Sequence, residues 1–391
     1  MNGVNNWNIM RVKGKIMKYP ILILCFLCIW VSSVVAQRYK SEFPYRLVGG
    51  KMVVDMNVNG MLRSFIFDTG ASRTTLTGEF CRELGLTVTD SLSVTDANGK
   101  KSFYPLVLVQ SIKTPDNVFE FRETSAMTIA EPSPFACFQV DGLIGSDLLA
   151  KLILEIDGKK KMITLQTAEK ESITSFRTMR PFVTAGMPII SLVVNGGYNL
   201  TCLFDTGCPK FFSLKKTDFN SLQANAVVEL VAEGYTTGAI SVGGQAASDT
   251  VHRVKFPLLS VGVAKFREGI AETSTPPYTL LGMELLNYGK VIIDYPRGRF
   301  YFDAYETESK YLNKSHDVGF LVKDGDLVVG AVWGEIQREI EMGDKVIKIN
   351  GKPVGKYDFC ESIINGIPEL KAKKKTKVTV LTRQGEKVIV Y

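Results

Sequence analysis

The chain spells Asp-Thr-Gly twice, at Asp68-Thr69-Gly70 and Asp205-Thr206-Gly207, each time directly after an apolar run, Phe65-Ile66-Phe67 and Leu203-Phe204. A carboxylate at the buried end of an apolar strand is costly unless something compensates it, so two of them need a shared explanation. The offset of 137 residues between the aspartates also carries Leu143-Ile144-Gly145 onto Leu280-Leu281-Gly282 and Ile156-Asp157 onto Ile293-Asp294. It aligns Gly145-Ser146-Asp147-Leu148-Leu149 with Gly282-Met283-Glu284-Leu285-Leu286 without a gap. One Asp-Thr-Gly arises by chance in roughly a tenth of chains this long, whereas two in register with a second motif do not. From about Tyr45 to about Tyr305 the chain therefore reads as an internal duplication, each copy one lobe.

Both copies are built of short β-branched and aromatic segments, many of them alternating. The first holds Leu47 to Val58, Ser64 to Phe67, Ser102 to Val109, Val118 to Arg122, Ile153 to Ile156 and Met162 to Leu165. The second holds Ile189 to Val194, Thr201 to Phe204, Val254 to Leu259, Val291 to Asp294 and Arg299 to Asp303. Asn59-Gly60, Asn98-Gly99, Asn195-Gly196-Gly197 and Gly243-Gly244 mark turns. Helix is sparse: Thr77 to Gly85 reads as one capped helix, and the segments after Gly145 and Gly282 as one more per lobe. With 391 residues, 45% apolar and 22% charged, core is ample for two or three domains and disorder is not indicated.

Arg11, Lys13, Lys15 and Lys18 precede the apolar stretch Ile21 to Val35, and Val34-Val35-Ala36 closes it with a small-residue cleavage pattern. That stretch falls short of the roughly 20 residues a spanning helix needs, so residues 1–36 are expected to be a signal peptide cleaved near Ala36, with Met17 an alternative start. The mature chain is then exported, periplasmic or secreted, with no membrane segment. It keeps five cysteines, Cys81, Cys137, Cys202, Cys208 and Cys360, whose odd number and lack of a CxxC pair leave pairing open. The net charge of +7 draws on the signal basics and on Lys371-Ala372-Lys373-Lys374-Lys375, where no aromatic is interleaved, so no nucleic-acid surface is expected.

Only His252 and His316 are present, neither in a nucleophile context. A multi-histidine zinc site has no residues to use, and neither metal nor cofactor is expected. Catalysis falls to carboxylates. Asp68 and Asp205, sharing one proton, would hold a lytic water between them, the ionised group taking its proton while the protonated one hydrogen-bonds the scissile carbonyl. Such a pair titrates as a unit, so the proton belongs to neither alone. Gly70 and Gly207 allow a tight turn that points N–H groups at the carboxylates, and Thr69 and Thr206 can hydrogen-bond across the lobe interface.

These motifs resemble aspartic proteases of the pepsin and retroviral type, in which two lobes or two subunits each give one Asp-Thr-Gly; Leu143-Ile144-Gly145 and Leu280-Leu281-Gly282 match that family's hydrophobic-hydrophobic-Gly motif. The resemblance implies a mainly β fold, a bilobal β-barrel pair over residues 40–176 and 177–308, and an aspartic endopeptidase acting on peptide or protein. Both aspartates lie in one chain, so dimerisation is not required for the dyad. It also implies a hairpin flap, for which Asp96, Asn98 and Gly99 in one lobe and Gly234 to Gly244, centred near Gly238, in the other are the candidates. Where pepsin-type enzymes place Ser or Thr after the Gly, this chain has Ala71, as retroviral enzymes do, and Cys208. Losing those hydroxyls raises the expected dyad pKa values and moves the expected optimum to about pH 5–6.

From about His316 the texture changes. Val318 to Val322 and Leu327 to Val332 flank the turn Lys323-Asp324-Gly325-Asp326, and Met342-Gly343-Asp344-Lys345-Val346-Ile347-Lys348-Ile349-Asn350-Gly351 resembles the Gly-Asp-x-Ile-x-x-Ile-Asn-Gly segment of PDZ domains. A helix over Tyr357 to Ile364 and strands Lys377 to Leu381 and Lys387 to Val390 extend the likeness to an α+β PDZ-like domain over residues 314–391; its loop before the second strand is not a clear Gly-Leu-Gly-Phe, so a peptide-docking module and a folded appendage that sets orientation or dimerisation both stand. Two other readings stand beside hydrolysis. One is a non-catalytic peptide-binding protein with a protease-like cleft and a PDZ module, for which two buried carboxylates are superfluous. The other is a carboxylate-pair glycosidase, for which a Trp-rich sugar platform is missing.

Overall fold

The computed structural model describes residues 38–96, 98–133, 135–168, 179–181, 186–237, 240–241, 244–245, 247–274, 277–311, 316–371 and 375–391. The expected signal peptide and Gly238 lie outside the described residues.

The duplication seen in the sequence is a two-fold relation in space, and one strand pair shows where its axis runs. Leu152–Asp157 of the first copy lies antiparallel to Gly289–Asp294 of the second, with Glu155 opposite Ile292 at the centre. Those two residues are related by the same 137-residue offset, so the axis passes between them. Outward from this pair, Lys40–Pro44 joins Met162–Thr167 with Glu42 opposite Thr164, and Met179–Pro181 joins Arg299–Ala304 with Met179 opposite Tyr301, again the offset-related residues. The resulting six-stranded sheet takes three strands from each copy and ties the lobes together at their base.

Above it each lobe is a curled sheet of mixed parallel and antiparallel strands. In the first, eight strands run from Arg46–Val48 to Val88–Thr95, and an extra pairing of Lys51–Val58 with Lys101–Lys113 closes the curl. In the second, Ala264–Ser274 pairs with Asp249–Val261 and closes it in the same way. Alternation along Lys51–Val58 and Ile189–Val194 sends Val54, Met56 and Val58, and Ile190, Leu192 and Val194, into one apolar core that spans both lobes. The protein is mainly β.

Three sequence expectations are corrected. Leu47 to Val58 is not one strand, because Gly49 and Gly50 take φ of 54° and 77° and close a two-residue turn of the kind Gly-Gly favours. The segments after Gly145 and Gly282 form only short 3-10 turns, Ser146–Leu149 and Met283–Asn287. A helix also forms at Lys216–Ala224, whose Phe219 and Leu222, three residues apart, are both buried.

Residues 316–391 gather a separate core around Val322, Leu327, Val329, Val346, Val378 and Val380. A strand pairing and a disulfide are among the links that bind this part to the lobes. Strand Glu229–Thr236 of lobe two pairs with Asp326–Trp333, Gly234 opposite Trp333, so the lobe-two sheet runs on into the C-terminal sheet. At that seam buried Arg253 lies 4.0 Å from the Trp333 ring and bonds Asp317 at 3.0 Å and the His316 carbonyl at 2.6 Å. On the other side, Cys137 of lobe one is disulfide-bonded to Cys360 at the start of helix Phe359–Asn365, closing 223 residues of chain, while Cys81 and Cys202 are buried free thiols. Loop-closure entropy for so long a segment corresponds to up to about 5 kcal/mol. We expect Cys360→Ser to lower the thermal midpoint and to make it insensitive to reductant, whereas the parent should fall toward the variant when reduced; equal midpoints for both would contradict this.

Candidate active site

The two aspartates sit where parallel strand pairs end. Ile66 and Phe67 run beside Leu143 and Ile144, and Leu203 to Asp205 run beside Leu280 to Gly282. The glycines closing the hydrophobic-hydrophobic-Gly motifs are required by close approach: a Cβ on Gly145 would lie 2.6 Å from the carbonyl carbon of Arg73, and one on Gly282 would lie 2.0 Å from the Lys210 oxygen. The turns that follow brace the aspartate loops. The Ser146 N–H and hydroxyl both donate to the Ala71 carbonyl, at 2.9 and 2.8 Å, and the Met283 N–H donates to the Cys208 carbonyl at 2.8 Å.

At the axis the two Asp-Thr-Gly loops are locked together by four buried hydrogen bonds. The Thr69 hydroxyl donates to the Phe204 carbonyl at 2.8 Å and accepts from the Thr206 N–H at 3.1 Å. Reciprocally, the Thr206 hydroxyl donates to the Phe67 carbonyl at 2.7 Å and accepts from the Thr69 N–H at 3.0 Å. Each carboxylate crosses over the other loop's glycine. A Cβ on Gly70 would lie 2.5 Å from Asp205 Cγ, and one on Gly207 would lie 2.5 Å from Asp68 Oδ2. Only glycine leaves the space the opposing carboxyl occupies.

The two carboxyl groups adjoin, so that the charge of one acts on the other. Asp68 Oδ1 accepts from the Gly70 and Ala71 N–H groups at 2.9 and 3.0 Å, and Asp205 Oδ1 from the Gly207 N–H at 2.7 Å. Burial, then the charge of Asp68, holds the Asp205 carboxyl well above the usual carboxylate range, against the smaller opposing pull of Lys51 and the Gly207 N–H. At Cys208, burial and then Asp205 push the thiol up to about 12, so it is a neutral group and not a competing nucleophile. Such a pair, one proton between two carboxyls with N–H donors fixed on both, can accept a proton from water and donate one to a carbonyl in the same step.

The lobe-one flap candidates form the tip of a hairpin. Asp96 is buried, its side chain accepts from the Asn98 and Lys100 N–H groups at 2.9 and 2.8 Å, and Gly99 takes φ 77°. Val94 at the base of this tip and Ala71 of the aspartate loop pack on the same apolar cluster, which includes Val53, Ile66 and Tyr104. In lobe two, Gly234 is held under Trp333, whose Cε3 would be 2.4 Å from an added Cβ, so that end of the candidate hairpin belongs to the seam with residues 316–391. Sequence reasoning missed Lys51, whose Nζ donates to the Gly207 carbonyl across the lobe interface, and Tyr295, a buried phenol raised by burial and by Asp68. The Gly49-Gly50 pair signals the turn before Lys51, but nothing local signals what it reaches.

Residues 54–148 match the family model described as aspartyl protease. The matched segment includes Asp68 and the Leu143-Ile144-Gly145 motif. Among solved structures the chain is similar to an aspartic proteinase from Irpex lacteus, with 11% identity, 68% of this chain and 97% of that chain covered, and a TM-score of 0.41. It is also similar to a retropepsin-like aspartic protease from Rickettsia conorii, with 24% identity, 34% of this chain and 94% of that chain covered, and a TM-score of 0.26. No curated protein matches the chain.

Proposed function

We propose that this protein is an exported aspartic endopeptidase that hydrolyses peptide bonds with a water activated between Asp68 and Asp205. The observation that carries this is the crossed dyad, two adjoining carboxyls from separate lobes, each over the other's glycine. A cleft that only bound peptide would gain nothing from two adjoining carboxyls, whose desolvation it would have to offset. The bound water gives its proton to the ionised carboxyl and attacks the scissile carbonyl carbon, while the protonated carboxyl hydrogen-bonds the carbonyl oxygen. The resulting tetrahedral species collapses as a proton passes to the leaving amine. The lobe-one hairpin around Asp96, Asn98 and Gly99 is the proposed flap. The Cys137–Cys360 disulfide supports export, since such bonds persist in oxidising compartments.

The C-terminal part supports a second element of the reading. Strand Val318–Lys323 pairs with Asp326–Trp333 on one side, and on its other side a cleft of about 1290 Å³ separates it from helix Phe359–Asn365, with Leu321, Ile363 and Ile367 among its apolar lining. This PDZ-like domain is proposed to take an extended peptide by strand addition and to hold long substrates near the lobes. One experiment tests both parts. The mature chain is incubated with a peptide library and a statine-type transition-state analogue, beside Asp68→Ala and Leu321→Lys. Cleavage by the parent, blocked by the analogue and absent in Asp68→Ala, is expected; tight binding without turnover would overturn hydrolysis. Leu321→Lys should raise KM for long peptides only, and equal KM values for long peptides in parent and variant would remove the docking role.

A further inference from the structure

The two aspartate loops are related by a pseudo-two-fold axis, but one cation beside them is not. Lys51 follows the Gly49-Gly50 turn, crosses from lobe one and donates its Nζ hydrogen bond to the carbonyl of Gly207, in the lobe-two Asp-Thr-Gly. The residue 137 positions on is Pro188, which can supply neither charge nor donor. The turn that delivers Lys51 is wedged on three sides. A Cβ on Gly49 would lie 2.9 Å from Phe138 of lobe one and 3.0 Å from Ile364 of the C-terminal helix, and one on Gly50 would lie 3.3 Å from Pro209 of the lobe-two loop. Phe138 and Ile364 flank the Cys137–Cys360 disulfide, so the same staple that fixes the C-terminal part also backs this turn.

We propose that Lys51 is a positioning residue of the dyad: it holds the Asp205 loop through the Gly207 carbonyl, and its ammonium stabilises the singly ionised pair. This rests on the hydrolytic reading. The other titratable groups facing the pair do not duplicate the role. Cys208, from the same loop, and Tyr295, beyond strand Gly289–Asp294, are both held protonated by burial and by the neighbouring aspartate charge. Lys210, further along the lobe-two loop, is ion-paired with Glu272 at 2.6 Å. Lys51 thus adds one positive charge to a buried pair that carries one negative charge when active, and it opposes the burial that raises Asp205.

The test uses the full chain and three variants, Lys51→Met, Lys51→Gln and Lys51→Arg, with folding checked by thermal melts. Carbon-13 titration of the aspartate carboxyls reports the pair directly, and the pH–rate profile of peptide cleavage reports it through turnover. Lys51→Met should move the first ionisation of the pair, and the acid limb of the profile, upward by about one pH unit. One unit below the parent limb this costs about tenfold in rate. Lys51→Gln, which keeps a donor for the Gly207 carbonyl without the charge, should show the same shift with a smaller loss of kcat, and Lys51→Arg should leave the limb in place. A lowered kcat with limb and carboxyl titration unmoved would reduce Lys51 to a structural contact and overturn the proposal. A parent that does not cleave peptides, yet whose carboxyl titration shifts in Lys51→Met, would overturn the hydrolytic reading and leave the role of Lys51 standing.

Discussion

Asp205→Asn is expected to abolish turnover while making the folded protein more stable at neutral pH. Losing one member of the pair removes either the base that takes the water proton or the acid that polarises the carbonyl, about 10³–10⁴-fold in kcat. Asp68→Asn should cost as much, and the double variant little more, because the two act as a unit. Stability moves the other way. In the folded chain Asp205 holds its proton well above the usual carboxylate range, by burial first and the charge of Asp68 second, whereas unfolded it titrates near 4. Between those points the native state binds more protons than the unfolded one, so the stability linked to this group is fully present below about pH 4 and is lost as pH rises through its folded pKa. Asparagine carries no such penalty. Calorimetry should therefore show a midpoint for Asp205→Asn that exceeds the parent's increasingly from pH 4 to 8, by roughly 2–4 °C for each kcal/mol. A constant difference across that range would mean that Asp205 is not held protonated by its surroundings.

The second large effect lies in the threonines. Thr206→Val removes the hydroxyl that donates to the Phe67 carbonyl and accepts from the Thr69 N–H, leaving both backbone groups buried without that partner. Each such group costs about 1–3 kcal/mol, so a loss of about 2–6 kcal/mol is expected in denaturant unfolding. Thr206→Ser, which keeps the hydroxyl, should recover most of it. Thr69→Val breaks the reciprocal pair, and the double variant should fall short of the sum because the four bonds form one network. The same bonds set the separation of the two aspartates, and a displacement of about 1 Å at a reacting group can cost 10²-fold in rate. Thr206→Val should accordingly lose kcat by about that factor with KM little changed. Stability within about 0.5 kcal/mol of the parent would show that the lobes are held together elsewhere.

The strength of the dyad inference came from repetition. One Asp-Thr-Gly is a short local pattern, but a shared offset linking it to Leu143-Ile144-Gly145 and Ile156-Asp157 requires two similar units, and the pairing of Glu155 with Ile292 is the geometric form of that requirement. Strand periodicity was legible for the same local reason. Local pattern is a poorer guide beside close contacts: Gly145 and Gly282, pressed against neighbouring backbone, are followed by one short turn each and no full helix.

The sequence by itself determined the mainly β character, the duplication and the identity of the two aspartates, because alternation, glycine at close approaches and a repeated motif are constraints each segment carries alone. Tertiary structure decided what crosses between units. Cys137 meets Cys360 across 223 residues, Gly234 lies under Trp333, and Lys51 reaches Gly207, because segments far apart in the chain pack side by side. Local composition places no distance on residues that far apart. The surroundings of Asp205 are of this second kind: burial and then the Asp68 carboxyl raise it while Lys51 opposes them, and both of those side chains come from the other lobe.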